Sequence, residues 1–227
     1  HPPKYRSHLR NICSAVLSCA DPFYLKWRAK HASQLTQFNN KHQGEDCFII
    51  GNGPSLNAMD LKPLRRYYTF GLNKIYLLFD RVDLNLTYLV AVNKLVIEQS
   101  ADIYKGLPVT LFLNYKNARK IITTKNNFYF VYTGAKSTFK TDITRKICEG
   151  ATVTYVAMQI AYYMGFQNVF LIGVDHNFTV HGKPYEKQLM QGDDINHFDP
   201  NYFKNKEWQL PNLKISEAAY HLAKYYY

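Results

Sequence analysis

The chain has 227 residues, of which 47% are hydrophobic and 20% are charged, so it is globular and not intrinsically disordered. Its formal net charge of +11 favours an anionic partner such as a nucleotide, an acidic glycan or a membrane face. The sequence carries no nucleic-acid-binding signature, so we expect no nucleic-acid partner. No apolar run approaches the roughly 20 residues that are needed to span a bilayer.

The positive charge is densest in residues 1–45, which we predict to be a basic helical segment in front of the main domain. A helix is expected over 21–42, because Asp21 can cap its start and apolar residues recur along it. Docking of this helix on an anionic membrane through Phe23 and Trp27 is one interpretation. Packing of the helix on the domain core is the simpler one.

Residues 46–227 alternate short apolar runs with helical patterns, which predicts an α/β domain with a Rossmann-like, doubly wound and mostly parallel sheet. The apolar runs lack strict alternation, as is typical of strands covered on both faces. The predicted strands are 46–51, 67–73, 86–92, 108–113, 127–133 and 168–174, and the predicted helices are 59–66, 94–105, 115–121, 152–164 and 213–226. The long polar stretch 176–211 is interpreted as a lid.

A glycine-rich turn follows the first predicted strand in the run CFIIGNGPSL. A strand, a turn and a helix start in this order can hold a phosphate, because free backbone N–H groups face the anion. Gly51 and Gly53 would form the turn and Ser55 could cap the segment after it. The run is neither a Walker A motif nor the dinucleotide fingerprint, which would have a third glycine where Leu56 stands. A tight structural turn is the alternative.

Polar side chains also end three other predicted strands. Asn73 and Asn93 follow the second and third strands, and Asp175 and His176 follow the sixth. Ligands of open α/β sheets bind at the carboxyl ends of strands, so the amides could contact a base or ribose. The carboxylate and imidazole could perform acid/base chemistry or bind a metal. Helix capping is the alternative for each asparagine, and a structural carboxylate is the alternative for Asp175.

Taken together, the segments IIGNGPSL, GLNKIY, VAVNKLVIEQ and YYMGFQNVFLIGVDHN resemble the bacterial sialyltransferases. They equally resemble a domain family named for an archaeal 6-hydroxymethylpterin diphosphokinase, which includes the catalytic region of motility-associated flagellin glycosyltransferases. The resemblance covers about residues 46–227. It implies a Rossmann-like nucleotide-binding catalytic domain.

The resemblance also implies a role for each matching position. The residues expected to contact the nucleotide or the donor sugar are Gly51, Asn52, Gly53, Ser55, Asn73, Asn93, Thr152, Asp175 and Tyr185. A lid histidine serves as general base in the sialyltransferases, and His197 is our candidate, with His176 and His181 as rivals. Two positions depart from the family pattern, since Val153 replaces a glycine and Asn177 replaces a tyrosine.

The favoured hypothesis is a transferase that moves a sugar from a CMP-linked donor to a hydroxyl of a glycan or protein acceptor in a single displacement. His197 would accept the proton, Asp175 would assist, and Tyr185 and Ser55 would stabilise the leaving phosphate. The chain has no D-x-D pair, which favours a metal-independent reaction that needs no cofactor besides the donor.

Two alternatives stay open. A diphosphokinase would transfer pyrophosphate from ATP with Mg²⁺, for which Asp175, Asp193 and Asp194 could serve as ligands. A catalytically inactive nucleotide-binding module would account for Val153 and Asn177.

The cysteines have no paired spacing, which favours reduced thiols in a cytoplasmic protein, with peripheral contact to the inner membrane face as an extension of that hypothesis. An oligomer is compatible with the sequence. Because the last predicted helix runs to residue 226, we expect the chain to be a fragment of a longer protein.

Overall fold

A six-stranded parallel sheet forms the centre of the protein. The computed structural model describes residues 21–123, 126–135, 138–179 and 181–227. The strands of the sheet are β1 (Asp46–Ile50), β2 (Tyr68–Leu72), β3 (Tyr88–Ala91), β4 (Thr110–Asn114), β5 (Phe128–Val131) and β8 (Asn168–Ile172). Each of the six predicted strands is confirmed, and helices flank the sheet, so the predicted α/β Rossmann-like class is confirmed as well.

The strand order in the sheet is β5-β4-β3-β2-β1-β8. The chain therefore steps outward from β1 to β5 and returns to the other side of β1, where β8 pairs with it in parallel. Ligands of such sheets bind where the strand order reverses, outside the carboxyl ends of the two strands concerned. The fold places this point at the ends of β1 and β8.

The central strands are hydrophobic on both faces, and this explains why their sequences read as continuous apolar runs. Ile49, Ile50, Leu89 and Val90 are fully buried. The edge strand β8 differs, because Phe170 remains exposed on one face.

The helices are α1 (Pro22–Lys30), α2 (Lys94–Gly106), α3 (Tyr115–Ala118), α4 (Val153–Tyr163) and α5 (Leu213–Ala223). Helix α4 agrees best with its prediction, since Thr152 caps its start and Gly165 follows its end with a positive φ of 85°. The prediction of an α-helix over 59–66 is wrong. Two short 3₁₀ helices, Pro54–Ala58 and Lys62–Arg66, occupy this region instead, each with a proline in its first turn.

The N-terminal segment is part of the same core as the sheet. The predicted single helix over 21–42 is wrong, because α1 ends at Lys30 and a 3₁₀ helix, Ala32–Phe38, follows. Trp27 is fully buried, and its indole Nε1 donates a hydrogen bond of 2.7 Å to the carbonyl of Phe130 in β5. The Trp27 side chain therefore packs inside the core of the protein. Residues 1–20 of the predicted basic segment lie outside the described residues.

The stretch 176–211, whose role as a lid stays a prediction and which keeps the name lid, folds through an antiparallel pair of short strands, β9 (Lys187–Leu189) and β10 (Glu207–Gln209). A further pair of two-residue strands, β6 (Thr133–Gly134) and β7 (Ile147–Cys148), lies beside the sheet. The lid carries a small aromatic core of its own, made by Phe198, Tyr202, Phe203 and Trp208, all of which are buried. These aromatic residues hold the polar stretch in place.

Candidate functional site

A cavity of about 250 Å³ lies at the carboxyl ends of β1, β2, β3 and β8. The turns after these strands, the start of α4, the lid and α5 form its walls. Of the residues predicted to bind or react with substrate, those that line the cavity are Gly51, Asn52, Gly53, Asn73, Asn93, Thr152, Asp175, Tyr185 and His197. Ser55 is not part of the lining. The fold thus brings together residues that are spread over most of the sequence.

The glycine turn after β1 is packed directly against the turn after β8. The Gly51 N–H donates to the carbonyl of Ile172 at 2.8 Å, and the Gly53 N–H donates to the carbonyl of Gly173 at 2.8 Å. The N–H groups of Gly51 and Gly53 are therefore engaged within the fold, and neither is free to face an anion. Gly51 is required for close approach, because a Cβ there would lie 2.2 Å from the Gly173 carbonyl oxygen.

Asp175 braces this turn from the β8 side. One carboxylate oxygen accepts the Ser55 N–H at 2.8 Å, and the other accepts the Ser55 hydroxyl. A Cβ at Gly53 would lie 2.5 Å from the same carboxylate, so only glycine fits there. Asp175 contacts the cavity, and its two oxygens are both engaged by Ser55.

Two asparagines present unsatisfied acceptors in the cavity wall. The side-chain Oδ1 atoms of Asn52 and Asn73 are buried and have no hydrogen-bond partner among the described residues. Asn73 is held in the left-handed region, with φ of 51°, and its carbonyl accepts a hydrogen bond from the Tyr104 hydroxyl at 2.9 Å. Buried polar atoms are nearly always paired, so these oxygens are available to accept hydrogen bonds from the N–H or O–H groups of a molecule in the cavity.

Asn93 and Thr152 each cap a helix and line the cavity. Asn93 Oδ1 accepts the Leu95 N–H at the start of α2 at 2.9 Å, and its Nδ2 donates to Gln209 of the lid at 3.3 Å. The Thr152 hydroxyl caps α4 and lies 3.1 Å from the Tyr220 hydroxyl of α5. The capping alternative is thus realised at Asn93, whereas the Oδ1 of Asn73 makes no capping hydrogen bond among the described residues. The capping side chains of Asn93 and Thr152 also join the lid and α5 to the sheet.

His197 is fixed in the cavity wall by a carboxylate and by a stacked aromatic ring. Its Nδ1 lies 2.9 Å from Asp194 Oδ2, and its ring is stacked on Tyr202 with centroids 4.0 Å apart and planes 4° from parallel. Of the rivals, His176 lines the cavity and has a left-handed φ of 52°, whereas His181 is not part of the lining. Sequence reasoning missed the partnership of Asp194 with His197, although the spacing of three residues in a loop is a signal for it.

Tyr185 lies on the lid with half of its surface exposed, at 49%. Its N–H donates to the Leu210 carbonyl at 2.9 Å, and its backbone adopts a left-handed φ of 68°. The structure records no protein partner for its hydroxyl among the described residues. That hydroxyl is therefore available as a hydrogen-bond donor to a ligand.

The charge of the cavity wall is unusual for a basic protein. Asp175 and Glu149 contribute carboxylates, whereas no lysine or arginine is among the described residues that line the cavity. The Oε1 of Glu149 accepts hydrogen bonds from Asn114 Nδ2 at 3.0 Å and from the Thr133 hydroxyl. Sequence reasoning missed Glu149, because its two partners, Asn114 at the end of β4 and Thr133 after β5, lie 35 and 16 residues away from it along the chain.

The three carboxylates that could have bound Mg²⁺ do not converge. Asp175 accepts from Ser55, Asp194 pairs with His197, and Asp193 forms an exposed ion pair with Lys204 at 2.8 Å. Within the described ranges, no group of three or more His, Cys, Asp or Glu side chains is placed to hold a metal. Mg²⁺ bound to nucleotide phosphates commonly uses one or two carboxylates, a role that Asp175 and Glu149 could fill.

Chemically, the arrangement offers hydrogen-bond acceptors for hydroxyl or amine groups, a tyrosine hydroxyl on the lid, and an imidazole with one nitrogen fixed.

In the parts of the chain that the structure describes, no helix is both long and apolar enough to cross a membrane.

Comparison with known proteins identifies the family. The family model described as "6-hydroxymethylpterin diphosphokinase MptE-like" matches residues 25–181, which include the glycine turn, β1 to β5, β8 and Asp175. The match begins inside α1, in agreement with the packing of the N-terminal segment on the sheet. A search of curated proteins found no match. The chain belongs to the 6-hydroxymethylpterin diphosphokinase MptE-like family.

Proposed function

We propose that the protein is a glycosyltransferase that uses a sugar linked to a nucleoside monophosphate, with CMP as the leaving group. The observation that carries this proposal is the composition of the cavity wall. Amides, hydroxyls and two carboxylates line it, and neither lysine nor arginine is among the described lining residues. A wall of this kind suits neutral hydroxyl-rich groups and a single phosphate.

The alternative donor, ATP, carries about four negative charges that must be neutralised during transfer, normally by Mg²⁺ together with lysine or arginine. Placing such a triphosphate beside Glu149 and Asp175 is unfavourable, because like charges repel strongly in a partly buried site. A CMP-linked donor places one phosphate diester there. The hydroxyl of Tyr185 is available to stabilise that phosphate as it leaves.

The reaction would be a single displacement. Nε2 of His197 would accept the proton of the acceptor hydroxyl while the oxygen bonds to the anomeric carbon of the donor. The bond from that carbon to the phosphate oxygen would break, and CMP would leave with its electron pair. The unpaired Oδ1 atoms of Asn52 and Asn73 would accept hydrogen bonds from donor hydroxyl or amine groups.

A second candidate is favoured by the family description. An enzyme of the diphosphokinase type would transfer pyrophosphate from ATP to a hydroxymethyl group. In that case Asp175 and Glu149 would hold Mg²⁺, and the metal would supply the positive charge that the cavity wall does not.

A thermal-shift panel separates the two candidates. Melting temperature is measured with CMP, CDP, UDP, GDP and ATP, each with and without Mg²⁺. At one hundred times its dissociation constant, a ligand stabilises the folded state by about 2.7 kcal/mol. Stabilisation by CMP without metal supports the proposal. Stabilisation by ATP only with Mg²⁺ contradicts it and favours the diphosphokinase.

A turnover assay then tests transfer itself. The protein is incubated with a CMP-linked sugar and a glycan acceptor mixture, and free CMP is measured. Release of CMP that depends on His197 supports a transferase. Saturable binding of CMP with no release above the rate of the His197→Ala variant would instead indicate an inactive nucleotide-binding module.

A further inference from the structure

The carboxylate of Asp194 is buried in the lid, with none of its side-chain surface exposed. One oxygen, Oδ1, accepts the N–H of Asn196 at 2.9 Å, which closes a local turn. The other oxygen, Oδ2, lies 2.9 Å from Nδ1 of His197. The backbone N–H of Asp194 donates to the Pro200 carbonyl at 2.8 Å, so the residue is fixed through main chain and side chain alike.

The turn alone does not account for both oxygens. An aspartate or asparagine that closes such a turn uses one side-chain oxygen. The second oxygen of Asp194 would be costly to bury without a donor, because an unpaired buried acceptor on a charged group is strongly unfavourable. Since the carboxylate can only accept, the proton of this contact belongs to Nδ1 of His197.

The ring of His197 is packed among aromatic side chains. It stacks on Tyr202, while Phe203 and Trp208 approach edge-on with ring centroids at 5.3 and 6.3 Å. Only 10% of the His197 side chain is exposed. Tyr202 is in turn held by Lys74, whose Nζ donates to the Tyr202 carbonyl at 2.7 Å.

The same loop is tied to the glycine turn. The N–H of Phe198 donates to the Asn52 carbonyl at 2.9 Å, and Nδ2 of Asn57 donates to the Phe198 carbonyl at 2.9 Å. The position of His197 is therefore set relative to Asn52, which lines the cavity with it.

We infer that Asp194 is a positioning residue that holds His197 as the Nδ1–H tautomer, which leaves Nε2 unprotonated and directed to the substrate. The inference rests on the proposed function for its catalytic consequence, because it makes Nε2 the atom that accepts the proton of the acceptor hydroxyl. In this arrangement the carboxylate orients the histidine base and does not take the proton itself. Asp194 does not touch the reacting atoms.

The tautomer can be measured without any substrate. Protein labelled with ¹⁵N in its histidines is examined by long-range ¹H–¹⁵N correlation NMR at about pH 8.5, where an ordinary histidine is neutral. The expected pattern for His197 is a protonated Nδ1 and an unprotonated Nε2. An Nε2–H tautomer in the wild-type protein would overturn the inference.

The test variant is Asp194→Asn, which retains the volume of the side chain. Its Oδ1 can still accept from Asn196, so its NH₂ group faces His197 and donates to Nδ1, which reverses the tautomer. A flipped side-chain amide in this variant is unfavourable, because its NH₂ donor would then face another donor, the N–H of Asn196. The matched control is Asp193→Asn, because Asp193 is an exposed neighbour that pairs with Lys204. An unchanged His197 tautomer in Asp194→Asn, with the fold intact by circular dichroism, would refute the positioning role.

Kinetics then connect the tautomer to catalysis. In Asp194→Asn, we expect kcat for transfer from the CMP-linked donor to fall by at least about 10²-fold with the CMP dissociation constant nearly unchanged. Asp193→Asn should retain activity. A reversed tautomer with full kcat would overturn the assignment of Asp194 to catalysis. Failure of CMP to bind either protein would refute the proposed function, while the NMR result would still decide whether Asp194 holds the ring.

Discussion

Lys74 offers a test of the lid packing, because a lysine is enclosed where the lid meets the sheet. It is 1% exposed, and its Nζ donates to Gln99 Oε1 and to the Tyr202 carbonyl at 2.7 Å each. The ammonium also lies 4.3 Å from the centroid of the Phe203 ring. Burial, with a smaller contribution from the charge of Lys206, lowers the pKa of Lys74 to about 7 from its usual 10.5, against the opposing effect of Asp194.

The direction of the pH effect follows from proton binding. Between pH 7 and 10.5 the unfolded chain binds a proton on Lys74 that the folded protein has released. Stability therefore rises with pH over this range, because the unfolded state binds more protons. At about 1.4 kcal/mol per pKa unit, the Lys74 contribution to the free energy of unfolding should increase by about 2 kcal/mol from pH 7 to pH 9.

The measurement compares the wild-type protein with Lys74→Met by urea denaturation at pH 7 and pH 9. Other titrating groups cancel in the difference between the two proteins. We expect the free energy of unfolding of the wild type, relative to Lys74→Met, to be about 2 kcal/mol higher at pH 9 than at pH 7. Lys62→Met, at an exposed lysine, serves as the control and should show no such change over this range. An equal pH response in wild type and Lys74→Met, or a smaller wild-type stability at pH 9, would refute the enclosed position of Lys74.

Three further predictions concern the cavity wall. Gly51→Ala should lower the free energy of unfolding, measured in urea, by about 3 kcal/mol or more, because its Cβ would meet the backbone of the turn after β8. Gly106→Ala is the control: no heavy atom lies within 4 Å of a new Cβ there, so its free energy of unfolding should be nearly unchanged or slightly higher. Asn73→Gly keeps the left-handed backbone and removes the unpaired Oδ1, so calorimetry should show CMP binding weakened by about 10-fold. Asn40→Gly, also at φ of 51° but outside the cavity, is the control and should bind CMP normally. Tyr185→Phe should lower kcat for transfer by about 10-fold with the fold intact, and an unchanged kcat would remove its hydroxyl from the mechanism.

Local patterns were sufficient to predict much of the sheet and its best helix. The buried strands have apolar runs that no solvent-exposed face interrupts, and α4 has both a threonine cap and a glycine stop. The predicted helix over 21–42 failed because the chain must turn after Lys30 to bring Leu35 and Phe38 into the core. The chain turns there because the segment packs against the sheet, and a local sequence pattern carries no information on that packing.

Sequence patterns predicted most of the polar side chains that share the cavity, but not the hydrogen bonds that these side chains make. Strand ends identified the polar side chains that the fold collects in one cavity. The use of the Gly51 and Gly53 N–H groups could not be foreseen, because their acceptors are carbonyls of Ile172 and Gly173 on the other side of the switch point. The pairing of Asp194 with His197 likewise becomes meaningful only when the lid aromatics fix the ring.

If the cavity between the ends of β1 and β8 binds a nucleoside monophosphate, the amides of the glycines that line it should report the binding. CMP without metal is titrated into protein labelled with ¹⁵N in its glycines, and amide chemical shifts are followed. Saturable shifts of Gly51, Gly53 and Gly173 are predicted, because they line the cavity, with Gly44 and Gly106 unaffected outside it. Unchanged amide shifts of the cavity glycines at saturating CMP, with shifts that appear only on addition of ATP and Mg²⁺, would show that the cavity does not bind a nucleoside monophosphate.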